Sequence, residues 1–153
     1  MNDNDFSAAV SERRFGGIAR LYGTDALNRF AAAHVCVVGV GGVGSWAVEA
    51  LARSGIGALT LIDLDNVAES NVNRQLHALT CDFGKAKVTA LHERILQINP
   101  ACRVTEIEDF VTEDNLPVLF RRPFDFVIDA IDQMRVKAAM AAYFVRHGQP
   151  FIL

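Results

Sequence analysis

The chain has 153 residues, 51% hydrophobic and 22% charged, with Lys+Arg 15 against Asp+Glu 18 and a formal net charge of −3. Such a chain makes one globular domain with a sizeable core and carries no bulk cationic field for nucleic acid, so any RNA contact falls to a local patch. No apolar run approaches the roughly 18 residues of a membrane span, MNDNDFSAAV lacks a signal-peptide pattern, and Cys36, Cys81 and Cys102 form neither a CxxC pair nor an even-numbered framework, which predicts a cytoplasmic protein with no membrane contact.

Residues 1–12 are polar and expected to be loosely ordered, leaving 13–153 as the folded domain. A short helix is expected after Gly23, with Thr24 as its cap. Residues 34–39 read as a buried strand, 42–54 as a helix that stops near Gly55, and 59–62 as a second buried strand that ends at Asp63. Residues 64–82 are rich in Asn and Asp and predict an irregular connection. A helix is expected over 84–98, because Val88, Leu91, Ile95 and Ile98 recur at steps of three and four and Asn99-Pro100 stops it. A third strand covers 102–107, Thr112 caps a short helix toward Arg121, and Phe124–Ile128 is a fourth strand. Asp132 is placed to cap a long helix that ends at Gly148, and Pro150–Leu153 begin a fifth strand.

Strand and helix alternate throughout. Apolar strands of this kind fit a parallel sheet buried on both faces, so the expected fold is α/β, a doubly wound, mostly parallel Rossmann-like sheet with helices on both faces. The chain closes on a strand with no helix after it, which predicts the N-terminal half of a longer protein.

The chemistry concentrates after the strands. Gly39, Gly41 and Gly44 make a GxGxxG pattern between a strand and a helix. One glycine permits the tight turn, one lets backbone approach phosphate, and one allows close helix–strand packing. The helix N-terminus adds free N–H groups and the positive end of a dipole. Asp63 ends the next strand about 20 residues on, where a carboxylate takes ribose hydroxyls. This pattern alone suits NAD and ATP equally. Four features bear on the choice. Gly42, the extra glycine, leaves more room over the phosphates. Arg74, within Asn71-Val72-Asn73-Arg74-Gln75, is either a phosphate ligand at the pocket mouth or a surface arginine on a solvated turn. Lys85 and Lys87 oppose the helix dipole where they stand, which a nearby phosphate would relieve; the plainer reading is two surface lysines. Asp129-Ala130-Ile131-Asp132 follows the fourth strand at the switch point, where a carboxylate tolerates phosphate through Mg²⁺, or Asp132 only caps its helix. One Arg, one Lys and one Asp around the loop suit phosphate chemistry better than hydride transfer.

GVGGVGSWAVEALARSGIGALTLIDLDNVAESNVNRQLHAL closely resembles the ThiF/MoeB/HesA adenylating enzymes, relatives of the ubiquitin-activating enzymes, and the similarity runs from about residue 13 to the end. Within that family, RRFGGIARLYG and the Ser45-Trp46 pair after the glycine loop most resemble the branch that dehydrates the threonylcarbamoyl group on the tRNA adenosine beside the anticodon. The resemblance implies that Gly39, Gly41, Gly42 and Gly44 hold the phosphates of ATP and Asp63 the ribose. It implies that Arg74 and Lys87 contact the triphosphate and the transition state, that Asn71 and Gln75 support the arginine, and that Asp132 holds Mg²⁺ or orients the reactive phosphate. Asp65 belongs to the family's DxD stretch, with a turn-forming role the alternative. A homodimer, a modified tRNA substrate and a sulfur-relay partner are implied as well. The family's second N-terminal arginine is replaced by Gly17, leaving Arg14 or Arg20 to substitute. Two rival functions remain on the sequence: adenylation of the C-terminus of a ubiquitin-like sulfur carrier, and an NAD-dependent oxidoreductase; a third possibility is a catalytically silent interaction module. Arg13, Arg14, Arg121 and Arg122 are candidates for tRNA contact by charge alone, against a plain solvated-surface reading. His34, His77, His92 and His147 have no ligand spacing, and the cysteines read as packing or inert thiols.

Overall fold

The computed structural model describes residues 3–153, with side chains described from Arg13 onward. Its helices are α1 (Asp3–Tyr22), α2 (Thr24–Ala32), α3 (Gly44–Arg53), α4 (Lys87–Ile98), α5 (Leu116–Leu119) and α6 (Met134–His147). Its strands are β1 (His34–Val38), β2 (Ala58–Ile62), β3 (Arg103–Ile107), β4 (Phe126–Asp129) and β5 (Phe151–Ile152). The strands form one five-stranded sheet in the order β3-β2-β1-β4-β5, and every pairing within it is parallel. The order reverses between β1 and β4, where Val38 pairs with Asp129. The carboxyl ends of these two strands therefore flank the crevice in which such sheets bind ligands.

Alternation along β1 explains the two cores. Val35 and Val37 face one side, with Val48 and Ala52 of α3 and Val88, Leu91 and Ile95 of α4. Cys36 and Val38 face the other, with Leu116 of α5 and Met140 and Phe144 of α6. Successive strand side chains point to opposite faces, and each large aliphatic side chain buried in this way contributes about 1.5–3 kcal/mol. Cys36 and Cys102 are packing residues of these cores, and Cys81 is exposed; burial pushes the Cys102 thiol up to about 11 and the Cys36 thiol higher still. β3 sits at a sheet edge, so Arg103 and Glu106 are tolerated in a strand expected to be apolar.

Several local expectations change. α1 begins inside the segment expected to be loosely ordered; residues 1–2 of that segment lie outside the described residues. Thr24 is the first residue of α2 rather than its cap: Gly23 holds the N-cap position, with no side-chain cap bond. Thr112 and Asn115 bond each other's backbone N–H, and Asn115 is the N-cap of α5. Asp132 does not cap α6, whose N-cap is Gln133 without a side-chain bond. Gly148 ends α6 in the left-handed region, φ 65°, as its position predicts. The 64–82 connection contains two short 3₁₀ turns, Glu69–Asn71 and Thr80–Asp82.

Candidate functional site

The turn between β1 and α3 has a backbone that only glycine adopts readily. Gly39 lies at φ 79° with its N–H on the Ile62 carbonyl at 2.8 Å. A Cβ on Gly44 would lie 1.8 Å from the Gly39 carbonyl oxygen. α3 therefore starts in direct contact with the end of β1, and its first turn is aimed at the loop. Gly44 lies beneath this loop as a packing position, and a Cβ on Gly39 would press on Ile131 and Ala130 at 2.9 and 3.1 Å; Gly39, Gly41 and Gly42 line the space above the loop.

That space is a cavity of about 510 Å³. Gly39, Gly41, Gly42, Asp63, Asp65, Asn71, Arg74, Gln75, Lys87 and Asp132 all line it. Of the residues expected to hold the nucleotide, Gly44 alone stays off its wall.

Asp63 is tied at both oxygens: Oδ2 accepts the Val40 N–H at 2.8 Å and Oδ1 the Asp65 N–H at 2.9 Å. The end of β2 is thereby stitched to the glycine loop. The Asp65 carbonyl accepts the Lys87 N–H at 3.0 Å, and its carboxylate meets the Lys87 ammonium at 2.7 Å. The two lysines at the start of α4 part company here. Lys85 is a surface residue paired with Asp82 and Glu93, and these carboxylates raise its pKa, Glu93 foremost. Lys87 is buried and faces the cavity. The dipole conflict at this helix start is met inside the chain by Asp65.

Asn71 is buried; its Oδ1 accepts the Ala68 N–H at 3.0 Å, and its carbonyl accepts the N–H of both Arg74 and Gln75. The arginine is exposed, and its guanidinium reaches the Ser70 carbonyl at 3.1 Å and Asn73 Oδ1 at 2.8 Å. It takes part in no ion pair among the described residues. Its stem lies over Gly42, 3.4 Å from where a Cβ would stand. Gln75 is buried and lines the same cavity; its amide nitrogen lies 3.7 Å from where a Cβ on Gly41 would stand, and its Oε1 is enclosed without a partner.

Across the crevice, Asp129 is buried and bonds the Lys137 ammonium at 3.1 Å and the Ile131 N–H at 3.1 Å. This fixes the turn that carries Asp132, which is exposed on the cavity wall and has no hydrogen bond or ion pair among the described residues. No cluster of three or more metal-ligating side chains occurs among the described residues. One free carboxylate beside a glycine loop is nevertheless a donor that suits Mg²⁺ when phosphate oxygens and water complete its shell.

Phe110 and Val111, just after β3, line the same cavity with Ile131 and give its wall an apolar portion. No motif marks them in the sequence; their place at the carboxyl end of a strand was the available signal. His77 is another residue whose surroundings the sequence did not announce. It is fully buried, both ring nitrogens lack partners, and burial, aided by the Lys87 charge, lowers its pKa to about 4. The N-terminal arginines divide as well: Arg14 donates to the Gln97 and Ile98 carbonyls at 3.3 and 2.8 Å, capping α4 in its own chain, and Arg20 is exposed. Arg13, Arg121 and Arg122 are exposed.

The ThiF family profile matches residues 16–153. The chain belongs to the ThiF family. It is 59% identical to the tRNA threonylcarbamoyladenosine dehydratase of Escherichia coli K12 over 140 residues, which are 92% of this chain and 52% of that protein. The Haemophilus influenzae enzyme of the same name is 53% identical over 136 residues, 89% of this chain and 52% of that one. A crystal structure of the E. coli tRNA N6-threonylcarbamoyladenosine dehydratase in complex with ATP superposes with a TM-score of 0.90 at 58% identity, covering 92% of this chain and 58% of that chain. This ThiF-family chain spans about half the length of the curated relatives it matches. No helix among the described residues is long and apolar enough to cross a membrane.

Proposed function

We propose that residues 13–153 are the ATP-binding adenylation domain of a longer enzyme that activates a carboxylate with ATP and Mg²⁺. The observation that carries this reading is the convergence of Arg74, Lys87 and Asp132 with Gly39, Gly41, Gly42 and Asp63 on one cavity. The glycine cradle and a guanidinium held in no ion pair among the described residues are the features a triphosphate site needs. In this reading Asp63 takes the ribose, Phe110, Val111 and Ile131 the base, and Asp132 the Mg²⁺. Arg74 and Lys87 neutralise the triphosphate, the lysine turning from its exposed partner Asp65, with Asn71 and Gln75 holding the arginine's turn.

The substrate carboxylate we assign is that of the threonylcarbamoyl group on the tRNA adenosine beside the anticodon. A carboxylate oxygen attacks the α-phosphorus, the bond to the bridging oxygen breaks, and pyrophosphate leaves with the electron pair. A nitrogen or oxygen of the same side chain then attacks the activated acyl carbon. AMP departs, a proton goes to solvent, and the side chain closes into a ring. The substrate loses the elements of one water. The 59% identity to a tRNA dehydratase supports this acceptor, against 32% to the sulfur carrier protein adenylyltransferase of Thermus thermophilus. A homodimer, a sulfur-relay contact and a cytoplasmic location belong to the same reading.

The test is the full-length protein incubated with ATP, Mg²⁺ and tRNA carrying the modification. Mass spectrometry of the nucleoside should show loss of one water. No loss overturns the acceptor; pyrophosphate exchange stimulated only by a Gly-Gly-ended carrier protein moves it to the sulfur-carrier reading. Binding of NAD without affinity for ATP overturns the nucleotide assignment itself.

A further inference from the structure

Trp46 is the chain's one tryptophan, and it stays 53% exposed in the first turn of α3. Its indole N–H donates to the Arg74 carbonyl at 3.0 Å. The residue before it, Ser45, is fully buried, and its hydroxyl accepts the Leu76 N–H at 3.2 Å. Two consecutive side chains, from the turn of helix directly below the glycine loop, thus grip the backbone on either side of Gln75. The other polar ties of Arg74 are local. Its N–H bonds the Asn71 carbonyl at 3.1 Å, and its guanidinium bonds Ser70 and Asn73. Those bonds shape the turn but do not attach it to the loop.

An indole left half in water gains little from burial. What it supplies is a directional N–H, and the carbonyl receiving it belongs to the residue whose stem lies over Gly42. We propose that Ser45 and Trp46 are positioning residues that hold the Arg74 guanidinium over the glycine loop, where it meets the ATP phosphates. This rests on the reading of Arg74 as a phosphate ligand. It gives a role to the Ser45-Trp46 pair, which the cavity wall does not include. Preorganised charge counts for more than charge that must be gathered when the ligand arrives, so the brace acts on ATP affinity through the arginine.

The experiment is a double-mutant cycle on ATP affinity in the full-length protein, measured by calorimetry, with Trp46→Phe and Arg74→Ala. Trp46→Phe keeps an aromatic ring and removes the donor. Alone it should weaken ATP by about threefold to tenfold, the worth of one hydrogen bond. Arg74→Ala should weaken ATP by about tenfold or more. In the Arg74→Ala background the Trp46→Phe change should shift affinity by less than about twofold, because the group it positions is gone. The same factor in both backgrounds, or no loss in the first, overturns the proposal while leaving the ATP site standing. An unchanged affinity in Arg74→Ala overturns the phosphate-ligand reading and the brace with it. If thermal unfolding shows that Trp46→Phe has lost its fold, Ser45→Ala is taken through the same cycle, with the same outcomes supporting or overturning the brace.

Discussion

The Lys87 ammonium lies 2.7 Å from the Asp65 carboxylate, with the lysine side chain 6% exposed and the aspartate 59%. The pair is lopsided: one partner is committed to the cavity wall and the other is open to solvent. Removing the two partners should therefore have opposite consequences. Lys87→Met deletes a buried charge and fills its place with apolar atoms, so the unfolding free energy should stay within about 1 kcal/mol. ATP-dependent turnover should fall at least about a hundredfold, close to 3 kcal/mol of transition-state stabilisation. Asp65→Ala strands the buried ammonium and should cost about 1–2 kcal/mol, moderated by solvent at the exposed partner. Urea unfolding alongside steady-state kinetics checks both; a Lys87→Met protein with normal turnover removes the lysine from the site.

The glycines should separate by what stands over them. Gly44→Ala would place a Cβ 1.8 Å from the Gly39 carbonyl oxygen, and no side-chain rotation relieves a clash with backbone. It should cost more than about 4 kcal/mol and leave little folded protein. Gly41→Ala meets only the Gln75 amide at 3.7 Å, so stability should change by about 0.5 kcal/mol or less. Its methyl group enters the phosphate cradle, and ATP affinity should fall about tenfold. Thermal melts with and without ATP distinguish the two: the first variant loses the transition, the second loses the ATP-induced shift.

Asp129 and Asp132 stand three residues apart and should behave as different kinds of residue. Asp132→Asn changes an exposed group without a partner, so stability should move by about 0.5 kcal/mol at most. The Mg²⁺ concentration giving half-maximal rate should rise, and turnover should fall about a hundredfold. Asp129→Asn leaves the Lys137 ammonium unpaired where the aspartate side chain is fully buried, and should cost about 3 kcal/mol. A Mg²⁺ titration unchanged in Asp132→Asn assigns the metal elsewhere.

His77 gives the fold a pH dependence. Burial first, then the Lys87 charge, lowers its folded pKa from 6.5 to about 4. Between these two values the unfolded chain binds a proton that the folded chain refuses, so stability falls as pH drops from 6.5 toward 4 and is insensitive to this group above 6.5. At pH 4.5 the loss should be about 2–3 kcal/mol relative to pH 7.5. Because both ring nitrogens lack partners, His77→Leu should remove that slope without lowering stability at pH 7.5. Urea midpoints at the two pH values decide it: an equal acid loss in the variant clears His77.

The features legible in the sequence were those written in local chemistry. Gly39, Gly41 and Gly44 between an apolar run and a helix implied the loop, and the 3.6-residue rhythm of Val88, Leu91 and Ile95 implied α4. What escaped was set by neighbours distant in the chain. Gly16 and Gly17 cost helix stability of about 1 kcal/mol each, yet α1 runs through them; Phe15 is buried close to Gly55, and Arg14 caps α4. Asp132 had the residue type of a cap, but the backbone enters α6 one residue later, at Gln133. The place of Phe110 on the cavity wall depends on which loops the sheet order brings side by side, and no periodicity records that.

The sequence by itself determined the alternation of strands and helices, the glycine loop and the residue types around it, because backbone conformation and hydrophobic rhythm are local properties of the chain. Only the tertiary structure decided which of them meet. The reversal of strand order between β1 and β4 carries Asp132 to the loop that Gly39 begins, and the first turn of α3 takes hold of the segment bearing Arg74. It also divided two neighbouring lysines: Lys85 went to surface carboxylates and Lys87 to the cavity, since two positions so close at a helix start face in different directions.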